Sequence, residues 1–235
     1  MNINKKILVS DYDQTFYLND FDIEKNKIAI RKFRERGNIF IIATGRSYMD
    51  FHNKVDLYNI DYDYVIINHG ATILDNEDNI IANFQIKNEI IPNVEKDLKL
   101  DKSIKRFCCS ELESRVGFDH KDLTKINVKY NSKEEAMNIN KDINEKYFEF
   151  VNSYYVTQNS LEIISNQINK SKAIDLLLNR LKVSKEDVYT IGDGYSDIEM
   201  IKDFNGYAMK ESVAELKKAA KKEYTSVSEL VNEII

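Results

Sequence analysis

Short, uninterrupted apolar runs alternate with helical patterns at both ends of this sequence, and this alternation limits the possible folds more than any other feature. In the first part, strand-like and helical segments alternate at 6–10, 21–37, 38–44, 47–58 and 62–68. In the last part, helical and strand-like segments alternate at 172–181, 187–192, 196–204, 206–209 and 212–222. Strands that are apolar throughout are typical of a sheet covered on both faces, so the pattern predicts a parallel α/β core.

The middle of the sequence has a different pattern. Strand-like segments there follow one another around a helical segment, at 104–112, 124–131, 147–158 and 160–165. Helical patterns lie at 88–100 and 133–147. Neighbouring strands of this kind are typical of an antiparallel α+β unit. We therefore predict an α+β domain at 84–165, inserted into a core formed by 1–83 and 166–235.

Length and charge exclude several classes of protein. The 235 residues can form one large domain or two modest ones, and the net charge of −5 argues against a general binder of nucleic acid or anionic membranes. No apolar run approaches the roughly 18 residues of a membrane span, and the N-terminus lacks the pattern of a signal peptide. We expect a cytoplasmic protein that is a monomer or weak homodimer. An anionic substrate is not excluded, because its site needs only a few local cations.

Several residue types that often carry chemistry have simpler interpretations here. Cys108 and Cys109 are the only cysteines, and adjacent Cα atoms about 3.8 Å apart lie below the usual disulfide range. We expect two reduced thiols. The three histidines lack metal-ligand spacing, and we interpret them as packing or surface residues. The aromatic residues of the middle segment are interpreted as core, namely Phe118, Tyr130, Tyr154 and Tyr155.

Residues that can bind a ligand follow three of the predicted core strands, at the point where each strand ends. They are Asp11 and Asp13 after the first, Thr44, Gly45 and Arg46 after the second, and Asp193, Ser196 and Asp197 after 187–192. Lys170 lies where a helix begins and can reach the same edge. In a parallel sheet, ligands bind outside the carboxyl ends of the strands. The sequence therefore predicts a binding site at this edge.

The acidic residues of this edge need a partner. Asp11, Asp13 and Asp193 would repel one another if they met without a cation. A hard divalent ion that prefers oxygen ligands removes that repulsion, and we expect Mg²⁺, which commonly binds through few carboxylates plus substrate phosphate. Thr44 and Lys170 would supply donors to an anionic group beside the ion. This combination is typical of a phosphoryl-transfer site.

Four motifs resemble those of the haloacid dehalogenase-like phosphatases in order and chain position. They are DYDQT at 11–15, ATGR at 43–46, Lys170, and GDGYSD at 192–197. The inserted segment, between the second and third motifs, resembles the larger cap of the sugar-phosphate phosphatase branch, which includes the Cof-type proteins. The resemblance covers essentially the whole chain. It implies a parallel, Rossmann-like sheet core with an inserted α+β cap domain.

The resemblance also implies roles for the motif residues. Asp11 would be the nucleophile that forms an aspartyl-phosphate, and Asp13 would be the general acid and then the base. The phosphate-binding set would be Thr44, Gly45, Arg46, Lys170 and Ser196.

The resemblance implies a metal site as well. Asp11, the main-chain carbonyl of Asp13, and Asp193 would hold Mg²⁺. Asp197 would complete this acidic group by orienting a metal-bound water or Lys170.

The motifs depart from the family pattern at two positions and leave one choice open. Gln14 stands where glycine is common, so that turn must be one that a residue with a side chain can adopt. Ser196 stands where asparagine is usual, which keeps a hydroxyl but loses the amide donors. Lys172 is a rival to Lys170, which we favour because the following SKAI fits the family pattern better.

We therefore expect a Mg²⁺-dependent phosphatase that acts on a small phosphorylated metabolite, such as a sugar phosphate. Two alternatives remain open. One is a phosphomutase or phosphotransferase that passes the same aspartyl-phosphate to another acceptor. The other is a metabolite-binding sensor with low turnover, although a pure binder has no need of the Asp13 acid.

Overall fold

Two β-sheets organise the chain in the computed structural model, which describes residues 5–156 and 159–235. The strands are β1 (Ile7–Ser10), β2 (Ile39–Ala43), β3 (Tyr64–Ile67), β4 (Thr72–Asp75), β5 (Ile80–Asn83), β6 (Ser103–Ser110), β7 (Glu113–Val116), β8 (Leu123–Tyr130), β9 (Val151–Val156), β10 (Ser160–Ser165), β11 (Val188–Gly192), β12 (Asn205–Met209) and β13 (Glu223–Tyr224). The helices are α1 (Asp20–Glu35), α2 (Tyr48–Tyr58), α3 (Ile91–Asp97), α4 (Lys133–Tyr147), α5 (Lys170–Leu181), α6 (Ile198–Asp203), α7 (Ala214–Ala219) and α8 (Val227–Ile234).

The larger sheet has the strand order β13-β12-β11-β1-β2-β3-β4-β5. The six strands from β13 to β3 are parallel, whereas β4 and β5 continue the sheet as antiparallel strands. The predicted α/β class with a parallel core sheet is therefore confirmed. The sequence analysis did not identify β4 and β5, which lie outside the strand–helix alternation on which it relied.

The smaller sheet is antiparallel, with the order β7-β6-β8-β10-β9. All its strands lie within the range 84–165 that was predicted as the inserted domain. The strand predicted at 147–158 begins only at β9, because α4 extends to Tyr147 and a turn follows it. Its last two residues, 157 and 158, lie outside the described residues.

Continuous apolar strands form here because the larger sheet is buried on both faces. Leu8, Phe40 and Ile42 belong to a cluster that includes residues of α1 and α8. Ile7 and Ile41 point to the opposite face, into a cluster with residues of α5 and α6. Successive residues of a strand point to opposite faces, so both sets must be apolar. Burial thus fixes the register that brings the strand ends together.

The helix starts are set by side-chain caps. Asn19 accepts hydrogen bonds from the N–H groups of Phe21 and Asp22 at the start of α1. Asn169 accepts one from Lys172 N at 2.8 Å, which makes Lys170 the first residue of α5. None of the helices in the described part of the chain has the length and apolar character needed to cross a membrane.

Both cysteines are free and buried on β6, as expected for reduced thiols. Burial raises the pKa of the Cys108 thiol to about 12 and also raises that of Cys109. Because the thiolate is the reactive form, we expect a thiol reagent at about pH 8 to modify them at least about 100-fold more slowly in the folded protein than in urea. Rapid stoichiometric modification of the folded protein would contradict this burial.

Candidate active site

The ends of β1 and β11 bring the first and last motifs together. These strands are parallel neighbours, with Ser10 opposite Ile191. Asp11 continues the pairing, because its N–H donates to the Ile191 carbonyl at 3.0 Å. Asp193 follows β11 by one residue, so both carboxylates lie at the same edge of the larger sheet. The predicted meeting of these motifs is what the structure shows.

Three carboxylates meet a single buried lysine at this edge. Asp11, Asp193 and Asp197 each present an oxygen, and these oxygens lie within 4.8 Å of one another. Lys170 Nζ lies 2.6 Å from Asp11 Oδ1 and 2.6 Å from Asp197 Oδ1. Lys172 instead donates to the carbonyls of 166 and 167 and is exposed. The geometry therefore favours Lys170 over its rival.

The electrostatics of the cluster are unbalanced. Burial raises the pKa of Asp11 well above its usual value, opposed by Lys170 and reinforced by Asp197 and Asp193. Burial and the Asp197 charge raise the pKa of Asp193 to about 6. Burial alone would lower the pKa of Lys170, but Asp11 and Asp197 outweigh it and raise that pKa. The lysine stays charged, and it does not fully compensate three carboxylates.

This excess of negative charge and the oxygen donors make the cluster suited to a cation by its chemistry. Both oxygens of Asp197 are already engaged, one by Lys170 and the other by the N–H groups of Asp193 at 3.1 Å and Gly194 at 2.9 Å. Asp11 and Asp193 are therefore the carboxylates best able to face a hard divalent cation. A Cβ at Gly192 would lie 2.7 Å from the Asp197 carboxyl carbon, which explains the glycine there.

Thr15 supports the cluster, and the sequence analysis gave it no role although it lies in the DYDQT motif. Its Oγ1 donates to Asp193 Oδ1 at 2.8 Å. The hydroxyl is buried and links the loop after β1 to the loop after β11. Gln14, the residue before Thr15 in the motif, has φ of 61°. This is the left-handed region, which costs a residue with a side chain about 1 kcal/mol. The turn thus keeps a glycine-like conformation.

Asp13 and Arg46 form a bidentate ion pair at the mouth of the site. Arg46 Nε and Nη2 donate to the two carboxylate oxygens of Asp13 at 2.8 and 2.6 Å. The Asp13 side chain remains 49% exposed. Both carboxylate oxygens of Asp13 are thus engaged by the guanidinium. A general-acid role for Asp13 therefore requires this pair to open, which the motif did not indicate.

The remaining predicted phosphate ligands surround the same edge. Thr44 is buried, and its Oγ1 accepts a hydrogen bond from the Arg46 N–H at 3.1 Å. Gly45 lines a cavity above this edge, and its carbonyl accepts a hydrogen bond from Lys125. Ser196 also lines the cavity and is half-buried. All the predicted site residues except Thr44 line one cavity, and Arg46 is engaged there by Asp13.

A cavity of about 830 Å³ lies between the two sheets above this cluster. Its floor includes Asp11 and Lys170, and its opposite wall includes Lys125, Tyr155 and Glu162 from the smaller sheet. The interpretation of Tyr155 as core is incomplete, because it also faces the cavity. His69, which was interpreted as a packing or surface residue, is buried, lines the cavity and contacts Glu162. No local pattern marks these residues, since only the packing of one sheet on the other brings them together.

Sequence comparisons identify relatives that cover most of the chain. The family described as haloacid dehalogenase-like hydrolase matches residues 8–121 and 105–231. A protein of Mycoplasma capricolum is 29% identical, over 87% of this chain and 91% of its own length. The 5-amino-6-(5-phospho-D-ribitylamino)uracil phosphatase YcsE of Bacillus subtilis is 25% identical, over 86% of this chain and 82% of its own length.

Solved structures share the fold. A haloacid dehalogenase-like hydrolase from B. subtilis superposes with a TM-score of 0.86 at 17% identity, covering 98% of this chain and 100% of that one. Another from Bacteroides thetaiotaomicron gives a TM-score of 0.79 at 19% identity, covering 99% and 100%. The fold of this chain is thus shared with solved structures over nearly its full length.

Proposed function

Because the chain belongs to the haloacid dehalogenase-like hydrolases, we propose that it is a Mg²⁺-dependent phosphatase that hydrolyses the phosphomonoester of a small metabolite. One observation carries the proposal. The Asp11 carboxylate is held at 2.6 Å by a buried lysine, beside two further carboxylates, at the floor of a cavity. A nucleophile, a cation and a cluster suited to a metal are the parts that phosphoryl transfer needs.

Asp11 is the proposed nucleophile. One of its carboxylate oxygens attacks phosphorus, the bond from phosphorus to the ester oxygen breaks, and the leaving oxygen takes that electron pair. The product on the enzyme is an aspartyl-phosphate. Water then attacks phosphorus, inorganic phosphate leaves, and the Asp11 carboxylate is restored. Lys170 keeps its proton throughout and orients Asp11 through their hydrogen bond.

Asp11, the Asp13 carbonyl and Asp193 would hold Mg²⁺, which when bound supplies positive charge to the phosphoryl oxygens. Asp197 would not bind the ion directly. It holds Lys170 and the N–H groups of the loop after β11, so it positions the groups around Asp11. Thr15 orients Asp193 in the same way.

Asp13 is the proposed proton carrier. It would donate a proton to the leaving oxygen in the first step and accept one from the attacking water in the second. Its ion pair with Arg46 must open for this, and an incoming phosphate is a competing acceptor for the guanidinium. Arg46 would then bind the phosphoryl group beside Thr44, while Asp13 is released toward the leaving oxygen.

The cavity supports a small, polar substrate. Charged side chains line both its floor and its opposite wall, and its volume of about 830 Å³ suits a metabolite rather than a polymer. The B. subtilis relative is named for a substrate in which phosphate is carried on a ribityl chain. Phosphate esters of sugars and related polyols, as cytoplasmic metabolites, are the class we propose first.

The proposal is tested by screening phosphorylated metabolites with Mg²⁺ and measuring released phosphate. Sugar and polyol phosphates come first, then pyridoxal phosphate and flavin mononucleotide, then nucleotides. We expect turnover of at least one member of the first group. ³¹P NMR of the products separates hydrolysis from transfer to another hydroxyl. An absence of both reactions across the panel would refute the proposal.

Substitution of the two neighbouring lysines provides a matched comparison. Lys170→Met is expected to lower kcat/KM by about 100-fold or more, because the positive charge that holds Asp11 is lost. Lys172→Met should leave kcat/KM within about twofold, since that lysine caps main-chain carbonyls on the surface. Steady-state kinetics on the same substrate checks both. Equal losses in the two variants would contradict the assignment of Lys170.

A further inference from the structure

We propose that Lys125 and Glu162, which extend from the smaller sheet, are positioning residues that hold the loop of Thr44, Gly45 and Arg46 in place. We call Lys125, Glu162, Asn127 and His69 together the clasp. The inference rests on the proposed function, since that loop carries the proposed phosphate ligands. It adds a role for residues that none of the four motifs contains.

The clasp forms because three polar side chains share one face of the smaller sheet. Asn127 on β8 lies directly opposite Glu162 on β10, and its Nδ2 donates to Glu162 Oε1 at 2.8 Å. Lys125 lies two residues before Asn127 on β8, so both point to the same face. Its Nζ lies 3.2 Å from Glu162 Oε1. The contacts that hold these three side chains together therefore lie within the smaller sheet and do not involve the larger one.

The clasp contacts the site loop in two ways. Lys125 Nζ donates to the main-chain carbonyl of Gly45, and the ring of His69, which Glu162 contacts, lies against Gly45. A Cβ at Gly45 would meet the His69 ring and would lie 2.9 Å from Glu162 Oε2. Gly45 is therefore packed directly against the clasp. Its neighbours in the chain are Thr44 and Arg46, so any displacement is passed to them.

The two charged side chains of the clasp are largely buried. The Lys125 side chain is 2% exposed and that of Glu162 is 13% exposed. Buried ion pairs seldom stabilise a protein more than well-packed apolar residues would, because both charges lose their hydration. What such a pair provides is a directional contact, here from the smaller sheet to one carbonyl of the site loop. This supports a positioning role rather than a role in general stability.

The charges of the clasp balance internally. Burial lowers the pKa of His69, although Glu162 opposes this, so the ring is neutral near pH 7. Its Nε2–H then donates to Glu162, and Nδ1 is buried without a partner in the described residues. One positive charge on Lys125 therefore faces one negative charge on Glu162. Removal of Lys125 alone leaves a buried, uncompensated carboxylate, whereas removal of both charges does not.

This balance defines the test. Lys125→Met, the double variant Lys125→Met/Glu162→Gln and a control, Lys146→Met, are compared by steady-state kinetics and thermal denaturation. Lys146 pairs with Asp97 away from the site. We expect Lys125→Met to lower both Tm and kcat/KM, the latter by about 100-fold. The double variant should recover Tm while kcat/KM stays at least about tenfold low, because the contact to Gly45 is still missing. Recovery of both would overturn the positioning role.

Coupling to Arg46 gives a second test. If Lys125 acts through the loop, its substitution in an Arg46→Ala background should cost less than about threefold, because Arg46 no longer benefits from the position of the loop. Additive losses would overturn the proposal. Lys146→Met should remain within about twofold of wild type in both backgrounds.

A third measurement does not depend on activity. Amide hydrogen exchange at residues 44–47 should accelerate in Lys125→Met but not in Lys146→Met. Unchanged exchange in both would refute the clasp even if the enzyme is active. Faster exchange in Lys125→Met, in a protein that hydrolyses no phosphate ester, would refute the proposed function and leave the clasp standing.

Discussion

Replacement of Asp11 with asparagine is expected to lower phosphate release by at least about 10⁴-fold. The amide has nearly the same shape, but its oxygen is a poor nucleophile and it cannot form the aspartyl-phosphate. Steady-state kinetics at saturating Mg²⁺ checks the loss. Asp61→Asn is the matched control, because Asp61 is exposed and lies 3.9 Å from Arg31 on the surface, far from the acidic cluster in sequence.

The same substitution should stabilise the protein when no divalent ion is added. Burial and the neighbouring carboxylates raise the pKa of Asp11, so ionisation of Asp11 costs more free energy in the folded state than in the unfolded chain. The neutral amide avoids that cost, and Lys170 keeps Asp197 as its partner. We therefore expect Tm to rise as activity disappears. An Asp11→Asn variant that is folded and fully active would contradict the mechanism.

Removal of divalent ions is the second large effect that we expect. Chelation should lower phosphate release by at least about 10³-fold, and added Mg²⁺ should restore it. Mg²⁺ should also raise the Tm of the protein without substrate, because it compensates carboxylates that one lysine leaves partly unbalanced. Phosphate release and Tm are both measured, because the change of Tm reports Mg²⁺ binding even when no reaction occurs.

Asp193→Asn separates this ion site from general salt effects. The variant loses a carboxylate that faces the cluster, so we expect the rise of Tm with Mg²⁺ to shrink sharply and the concentration of Mg²⁺ needed for activity to increase. Asp61→Asn should respond to Mg²⁺ like the wild type. If chelation leaves phosphate release unchanged, or if Asp193→Asn keeps the full response, Mg²⁺ is not part of this site.

The strand ends could be predicted from sequence because they depend on local pattern. The apolar runs of β1 and β11 mark where each strand stops, and Asp11 and Asp193 follow directly. Parallel pairing then brings them together without further information. Lys170 could be ranked above Lys172 only through the family motif, since both lie in the first turn of α5. The structure shows why they differ, because Lys170 is buried and Lys172 is exposed.

Features that depend on the packing of one sheet against the other could not be predicted. Nothing near Lys125 or Glu162 in the sequence indicates that they meet at Gly45. The pairing of Arg46 with Asp13 is likewise a matter of side-chain direction across two loops. The short strands β4 and β5 and the terminal helix α8 were missed for another reason. They lie outside the strand–helix alternation from which the other core elements were predicted.

The position of β1 in the middle of the larger sheet has a consequence for biosynthesis. Its neighbours are β2, made soon afterwards, and β11, made when most of the chain already exists. One edge of β1 therefore has no strand to pair with until β11 has been synthesised. The Asp11–Lys170 contact likewise joins groups 159 residues apart. Closures of such long loops slow folding. The active site is thus completed late in synthesis. A nascent polypeptide that stops before β11 lacks part of the site and exposes the unpaired edge of β1.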